Sequence, residues 1–291
     1  TAEVDDIYTL TATITDMAGN NFEDSITFSV NRFGSNYELD DTLKEIQGKY
    51  IKEPIDVVFT ETNVNTLTDG SSKIVVSTNG TPKTLTAGSD YQVANAGGGG
   101  SWSRYTYTIP KDVFDADGTY IVSVYSEDTA GNINENDAEG KDAEITFGVD
   151  GTAPVISMTN LEENGNYNAT SYDATVNVSD NLVLDDVSIE LNGEKVEAKA
   201  SNDNYTFRIP ESTDKQTVTV VATDAAGNSL TQEVSGIVVT TNAFVRFLNN
   251  TRALVGTIVG VAAVGGFTAF IVINGGIGSL RFRPKKEKKN K

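Results

Sequence analysis

The chain has 291 residues, with 22 Lys+Arg against 41 Asp+Glu for a formal charge of −19, and it contains neither His nor Cys. Without imidazole or thiol the usual zinc, haem and copper ligands and the usual acid–base and thiol catalysts are missing, which disfavours most enzyme classes and rules out disulfides. The acid excess argues against a nucleic-acid partner, and the length leaves room for two or three domains held by buried apolar surface alone.

In chain order, residues 1–34 read as two strands. The run Tyr8-Thr-Leu-Thr-Ala-Thr-Ile-Thr15 alternates as a half-buried strand requires, and it ends in Asp16-Met-Ala-Gly-Asn20. The same ending recurs as Asp128-Thr-Ala-Gly-Asn132 after Tyr120–Glu127 and as Asp224-Ala-Ala-Gly-Asn228 after Gln216–Thr223, at intervals of 112 and 96 residues. Asp accepts from the backbone two residues on, and Gly and Asn tolerate positive φ. Asp16, Gly19, Asn20, Asp128, Gly131, Asn132, Asp224, Gly227 and Asn228 are therefore read as structural turn residues. A share for the three Asp in an interdomain cation site is the alternative reading.

In 36–150 the Gly97–Gly100 run reads as a loop, because no Lys-Ser/Thr follows it as a phosphate-binding fingerprint requires. Trp102 and Tyr105 next to it are a candidate aromatic platform for a sugar or peptide. The competing expectation places Tyr105 and Tyr107 on the core side with Ile109 and buries the indole at the strand entrance. Asp112, Asp115 and Asp117 before Gly118 have the spacing of part of a calcium loop, since a hard cation wants several carboxylate oxygens around a sharp turn. No acid follows near the twelfth position of such a loop, so an ordinary turn is the competing reading and Ca2+ the only cofactor in view. Tyr105-Thr-Tyr-Thr-Ile-Pro110 is echoed by Tyr205-Thr-Phe-Arg-Ile-Pro210, an offset of 100 residues that makes the two segments copies of one unit.

The third copy shows the unit most fully, with strands expected at 154–158, 172–178, 187–191, 195–199, 204–209, 216–223 and 230–239. Asn192-Gly193 between two of them is a strong hairpin signal. Seven short antiparallel strands in about 90 residues predict an immunoglobulin-like sandwich. Thr152-Ala-Pro-Val-Ile156 as an opening, Asp180-Asn181 ahead of the hairpin and the closing Asp-x-Ala-Gly-Asn turn resemble bacterial Ig-like repeats. The resemblance covers 151–241 well, 36–150 less completely, and 1–34 as the last two strands of a truncated copy. In 36–150, Asp117-Gly-Thr-Tyr120 resembles the corner where Ig-like folds place a Tyr bonded back to the backbone. The third copy has Lys215-Gln216 there, so its corner must be held differently.

A linker is expected near Gly34–Asn36, one Ig-like domain over 36–150, another over 151–241, and a short connector to residue 252. Residues 253–273 carry no charge, and as a helix they would be about 31 Å long, enough to cross a bilayer. The expected fold class is thus all-β, tandem immunoglobulin-like β-sandwiches followed by a single transmembrane α-helix. Gly256 and Gly260 give it the small-residue spacing of a helix dimer. Residues 281–291 hold seven Lys/Arg and one Glu, a basic tail that the positive-inside rule puts in the cytoplasm, and the preceding 280 residues, at −25, face outward. That orientation calls for an export signal, expected upstream of Thr1.

The resemblance implies a non-enzymatic surface protein of the kind found especially in Gram-positive bacteria. The expected function is a membrane-anchored stalk or adhesin region whose Ig-like modules project a distal binding region toward an extracellular protein or glycan. The Pro-containing sortase motif of such proteins is missing before the apolar stretch, so retention in the membrane is expected instead of wall attachment. A tether for an upstream extracellular enzyme, or a carbohydrate-binding module around Trp102, are the alternatives.

Overall fold

The computed structural model describes residues 4–97, 100–250, 270–273 and 276–279. The chain divides into two compact units, one of Thr1–Pro154 with Asp180–Asp185 and Thr223–Ser229, the other of Val155–Ser179 with Asp186–Ala222 and Leu230–Lys291.

The first unit opens with β1 (Asp6–Thr15) and β2 (Asn21–Val30), joined by the first Asp-x-Ala-Gly-Asn turn. They pair antiparallel from Asp6↔Val30 to Thr15↔Asn21, so Tyr8 lies across from Phe28, Leu10 from Ile26 and Ile14 from Phe22. Leu10 and Ile26 remain 63% and 62% exposed, because a two-stranded ribbon has no second sheet to bury them against.

The next elements are β3 (Asn36–Leu39), α1 (Asp41–Ile46), β4 (Tyr50–Ile51), β5 (Val57–Asn63), β6 (Lys73–Thr78), β7 (Thr81–Thr84) and β8 (Gln92–Ala96). They continue with β9 (Ser103–Ile109), β10 (Gly118–Glu127), β11 (Ile133–Glu135) and β12 (Ile145–Val149). One sheet runs β3-β5-β9-β8, the other β4-β12-β10-β6-β7 with β11 also on β10. Burial alternates along them: Val57, Phe59, Tyr105, Tyr107 and Ile109 from one sheet and Tyr120, Val122, Val124 and Phe147 from the other point into a shared core. Each such side chain contributes about 1.5–3 kcal/mol of burial. Phe59 stacks on Tyr107 at 4.9 Å, and Phe114 meets Tyr120 and Phe147 edge-on at 5.2 Å. Tyr120 donates from its hydroxyl to the Ala116 carbonyl at 2.6 Å, the corner bond its sequence context implied.

Alternation alone also predicts an apolar residue at position 61, and the chain places Glu61 there, fully buried. Burial of a carboxylate is tolerated only when it is hydrogen-bonded. Ser35 and Ser126 hydroxyls donate to it at 2.6 Å and Tyr107 at 2.8 Å. Burial and the Glu61 charge push the Tyr107 hydroxyl far above the ordinary tyrosine range. The expected linker at Gly34–Asn36 is part of this packing. Ser35 is fully buried, and Gly34 sits at φ 67° where a Cβ would come within 2.0 Å of Asn134 Oδ1.

The third copy contributes β13 (Val155–Met158), β14 (Asn166–Tyr167), β15 (Ser171–Ser179), β16 (Leu184–Leu191) and β17 (Glu194–Lys195). It continues with β18 (Lys199–Ser201), β19 (Asn204–Pro210), β20 (Ser212–Asp224) and β21 (Ser229–Val239). Its sheets run β13-β15-β19-β18 and β14-β21-β20-β16-β17. Ala174, Val176, Val178, Phe207 and Ile209 are among the buried residues of the first, and Ile189, Val218, Val220, Ala222 and Ile237 among those of the second. The Asn192-Gly193 hairpin forms with Leu191↔Glu194 paired and both turn residues at positive φ, 55° and 84°. Where the other copy has its Tyr corner, Gln216 is buried and donates from Nε2 to the Pro210 carbonyl at 3.2 Å.

The described fold is nearly all-β, with two short helices that strand periodicity did not foresee. Each is set by a local cap: Asp40 accepts from Leu43 N–H ahead of α1. Asn242 accepts from Phe244 and Val245 N–H ahead of α2 (Ala243–Asn249), which lies in the expected connector. Among the described residues no helix is long and apolar enough to cross a membrane. The expected span 253–273, with Gly256 and Gly260, and the tail 281–291 lie outside the described residues, apart from Phe270–Ile273. These four residues form β22, paired antiparallel with β23 (Gly276–Ser279), so they are strand where a helix was expected. In sequence Asn274-Gly275 separates the two, the dipeptide favoured in two-residue hairpins.

Candidate metal centre

The three Asp-x-Ala-Gly-Asn turns close in the same way. In each, the Asp carboxylate accepts the backbone N–H of the Asn four residues on, at 2.9, 2.9 and 2.8 Å for Asp16, Asp128 and Asp224. The Asn side-chain amide returns to the other carboxylate oxygen at 2.7, 2.9 and 2.8 Å. Gly19, Gly131 and Gly227 take φ 87°, 88° and 85°, the left-handed backbone that fixes Gly at this position. The nine residues thus form the same hydrogen-bonded turn in all three places.

Asp224 has a second setting. Its carboxylate, that of Asp150 directly after β12, and that of Asp180 directly after β15 place one oxygen each within 4.8 Å of one another. That span is about twice the 2.4 Å distance of an oxygen ligand from Ca2+. Asp150 and Asp224 are each 1% exposed, and Asp180 is half-buried. Asp150 Oδ1 accepts from Thr152 N–H at 3.1 Å and one Asp180 oxygen accepts from Leu182 N–H at 2.9 Å. The remaining oxygens, Asp150 Oδ2 and Asp180 Oδ1, are buried and have no hydrogen-bond partner. An unpaired buried carboxylate oxygen among other carboxylates is costly unless a cation balances it.

The electrostatics follow from this geometry. Burial, and then the charges of Asp180, Asp224 and Asp117, push the Asp150 carboxyl above the ordinary aspartate range. Lys52 is near, its Nζ 3.9 Å from where a Cβ on Gly227 would lie, but it forms no ion pair with the three among the described residues. Three oxygen donors with no nitrogen or sulfur suit a hard cation such as Ca2+, with further places left for carbonyl or water oxygens.

The acids singled out from spacing behave differently. Asp112 and Asp115 are exposed, on and after a single 3-10 turn at Lys111–Phe114, and they do not join Asp117 in a cluster. Asp117 accepts from Gly151 N–H at 2.8 Å, Thr152 hydroxyl at 2.5 Å and Asn181 amide at 3.1 Å. These donors, the Gly151 N–H first, hold its carboxyl below the usual range. Asp117 therefore braces the segment after Asp150 instead of lining a loop of its own. Tyr105 is buried, its hydroxyl accepting from Leu67 N–H at 2.9 Å, which takes it away from any surface platform with Trp102. Trp102 is half-buried and its indole N–H donates to Asp6 at 2.9 Å.

No protein-family model matches the chain, and no curated protein is similar to it in sequence. Among solved structures, it is similar to the fibronectin(III)-like modules of CbhA from Clostridium thermocellum, with a TM-score of 0.33 at 15% identity over 71% of this chain and 96% of that one. It is also similar to a Ca2+-stabilised adhesin with which an Antarctic bacterium binds ice, with a TM-score of 0.27 at 15% identity over 81% of this chain and 57% of that one. A 1.5-MDa bacterial ice-binding adhesin gives a TM-score of 0.26 at 15% identity, over 81% and 75%.

Proposed function

We propose that the chain is the membrane-proximal part of a cell-surface protein, in which Ig-like modules in series hold a distal binding region away from the cell. The observation that carries the reading is the repetition itself. One hydrogen-bonded turn is built three times, and sandwich cores are packed behind two of the copies. A strongly acidic surface keeps such modules soluble and mutually repelled. The uncharged stretch at 253–273 and the basic residues after it are the proposed anchor and its cytoplasmic flank. The role is mechanical and binding, not catalytic.

Calcium belongs to this proposal. Asp150, Asp180 and Asp224 hold one divalent ion, which orders the strand end and the two turns that supply them. The deciding experiment is protease shaving of intact cells that make the protein, with mass spectrometry of released and retained peptides. Release of peptides from 36–241 with 281–291 protected is expected. Protection of the sandwiches, or release of the basic tail, overturns the topology and the function built on it.

A further inference from the structure

Two clusters in this chain share one plan. Asn31 follows the last residue of β2 as Asp150 follows the last residue of β12, in Val30-Asn31 and Val149-Asp150. The main-chain carbonyl of each takes the side-chain amide of a turn Asn, Asn132 at 3.2 Å and Asn228 at 2.7 Å. Oδ1 of each accepts a backbone N–H from just downstream, Gly34 at 3.2 Å and Thr152 at 3.1 Å. The turn aspartates Asp128 and Asp224 occupy the second position. Asn63 and Asp180 occupy the third, each accepting the backbone N–H two residues on, at 2.8 and 2.9 Å.

The clusters differ at two of the three positions, Asn31 against Asp150 and Asn63 against Asp180, and the first of these differences falls on the atom in the middle. Because Gly34 N–H donates to Asn31 Oδ1, the other terminal atom of Asn31 is its amide nitrogen, and Asp128 can only accept from it. That nitrogen donates to Asp128 Oδ2 at 2.8 Å and to Asn63 Oδ1 at 2.9 Å. Asn63 adds a donation to Asp128 Oδ2 at 3.0 Å. The first cluster thus holds one carboxylate served by amides. In the second, the corresponding atom is Asp150 Oδ2, buried, without a donor, and beside two more carboxylates.

We infer that the Asn31 side-chain amide does in the first cluster what a divalent cation does in the second, so the chain carries a cation-independent and a cation-dependent form of one device. The inference rests on the cation reading of Asp150, Asp180 and Asp224, and adds that calcium control stops there and that residue 31 or 150 sets the choice. An amide bridges two oxygens through its two N–H groups, which suffices where one carboxylate is present. Three carboxylates need a positive charge.

The test uses the whole chain in detergent micelles, with calcium or with chelator, read by calorimetric stoichiometry and by hydrogen exchange of peptides around each cluster. The wild-type chain is expected to bind one Ca2+, protecting peptides around 150, 180 and 224 and leaving those around 31, 63 and 128 unchanged. Asn31→Asp should raise the count from one to two and make the first cluster respond. Asp150→Asn should lower it to none and give, in chelator, a melting temperature above that of the calcium-free wild type, since the new amide has two oxygens to serve. One wild-type ion with no gain in Asn31→Asp and no chelator-resistant Asp150→Asn overturns the amide-for-cation inference and leaves the cation site standing. No wild-type ion overturns both. Calcium protection of the first cluster in the wild-type chain overturns the inference alone.

Discussion

The side-chain amide of Asn228 donates to the main-chain carbonyl of Asp150 at 2.7 Å while also closing its own turn on Asp224 at 2.8 Å. One residue thus ties the hairpin turn to the strand end whose carboxylate enters the cluster. Asn132 does the same for Asn31, whereas the amide of Asn20 serves the exposed Asp16 carboxylate within its own turn. The same substitution should therefore have graded effects. Asn228→Ser is expected to cost about 2 kcal/mol, from the loss of a charge-assisted and a neutral hydrogen bond, and to weaken calcium binding. Asn20→Ser should cost about 1 kcal/mol or less because its turn is solvated. Denaturant unfolding of the two variants, with calorimetry of calcium binding, checks the order. Equal costs would show that the carbonyl contact contributes nothing.

Glu61 at the centre of the second copy sets another expectation. Its carboxylate is held by Ser35, Ser126 and Tyr107 hydroxyls, all inside a core from which water is excluded. Tyr107→Phe removes one donor without changing the ring that stacks on Phe59. The loss should be about 1.5–3 kcal/mol, the range for a hydrogen bond to a buried charge, and larger than for a Tyr→Phe change at half-buried Tyr8, whose hydroxyl donates to the neutral Val4 carbonyl. Near-UV circular dichroism should stay native, and a collapse of that signal would mean the hydroxyl shapes the core instead of serving the charge.

Acid should act through Asp128. Burial raises its pKa, but donation from Asn132, Asn63 and Asn31 outweighs burial and holds the carboxyl below its ordinary value. A depressed folded pKa means the stabilisation is complete above the unfolded value of about 3.9 and is lost as pH falls through the folded one. Stability of the wild-type chain should therefore fall below about pH 4, and Asp128→Asn should show a shallower acid limb. Unfolding free energies at a series of pH values in chelator measure the two slopes directly, and superimposable limbs would remove Asp128 from the account.

The alternating strands, the Asn192-Gly193 hairpin and the three turns were legible because each is a local matter of alternation or of one residue's φ preference, whereas the single strand expected at 195–199 is split into β17 and β18, which lie in different sheets. Glu61 was hidden for the opposite reason. In sequence it is one acid among 41, and only the strands that bring Ser35, Ser126 and Tyr107 around it make it special. The metal candidates show the same limit. Asp112, Asp115 and Asp117 are close in sequence but do not bring their carboxylates together, while Asp150, Asp180 and Asp224, separated by 30 and 44 residues, do so among the described residues. A signal for them did exist. Lining up the copies after the closing strand gives Asn31, Asp150 and Thr240 at one position, and an amide, an acid and a hydroxyl there mark a place where the chemistry is varied while the scaffold is kept. The two helices were missed because a single capping residue, Asp40 or Asn242, decides a one- or two-turn helix that is too short to show a period.

The corners of the two sandwiches offer a last comparison, because one scaffold position is held by different chemistry. Tyr120 reaches the Ala116 carbonyl at 2.6 Å with its ring packed against Phe114 and Phe147, so ring and hydroxyl act together. Gln216 reaches the Pro210 carbonyl at 3.2 Å, a longer bond from a more flexible side chain. Tyr120→Phe keeps the ring and should cost about 1 kcal/mol, whereas Tyr120→Ala should cost about 3–5 kcal/mol through the cavity it leaves. Gln216→Ala should cost about 1 kcal/mol, the worth of a neutral hydrogen bond whose acceptor, the exposed Pro210 carbonyl, water can serve instead. Thermal unfolding of the three variants separates the contributions. If Tyr120→Phe proves as damaging as Tyr120→Ala, the hydroxyl and not the ring holds the corner.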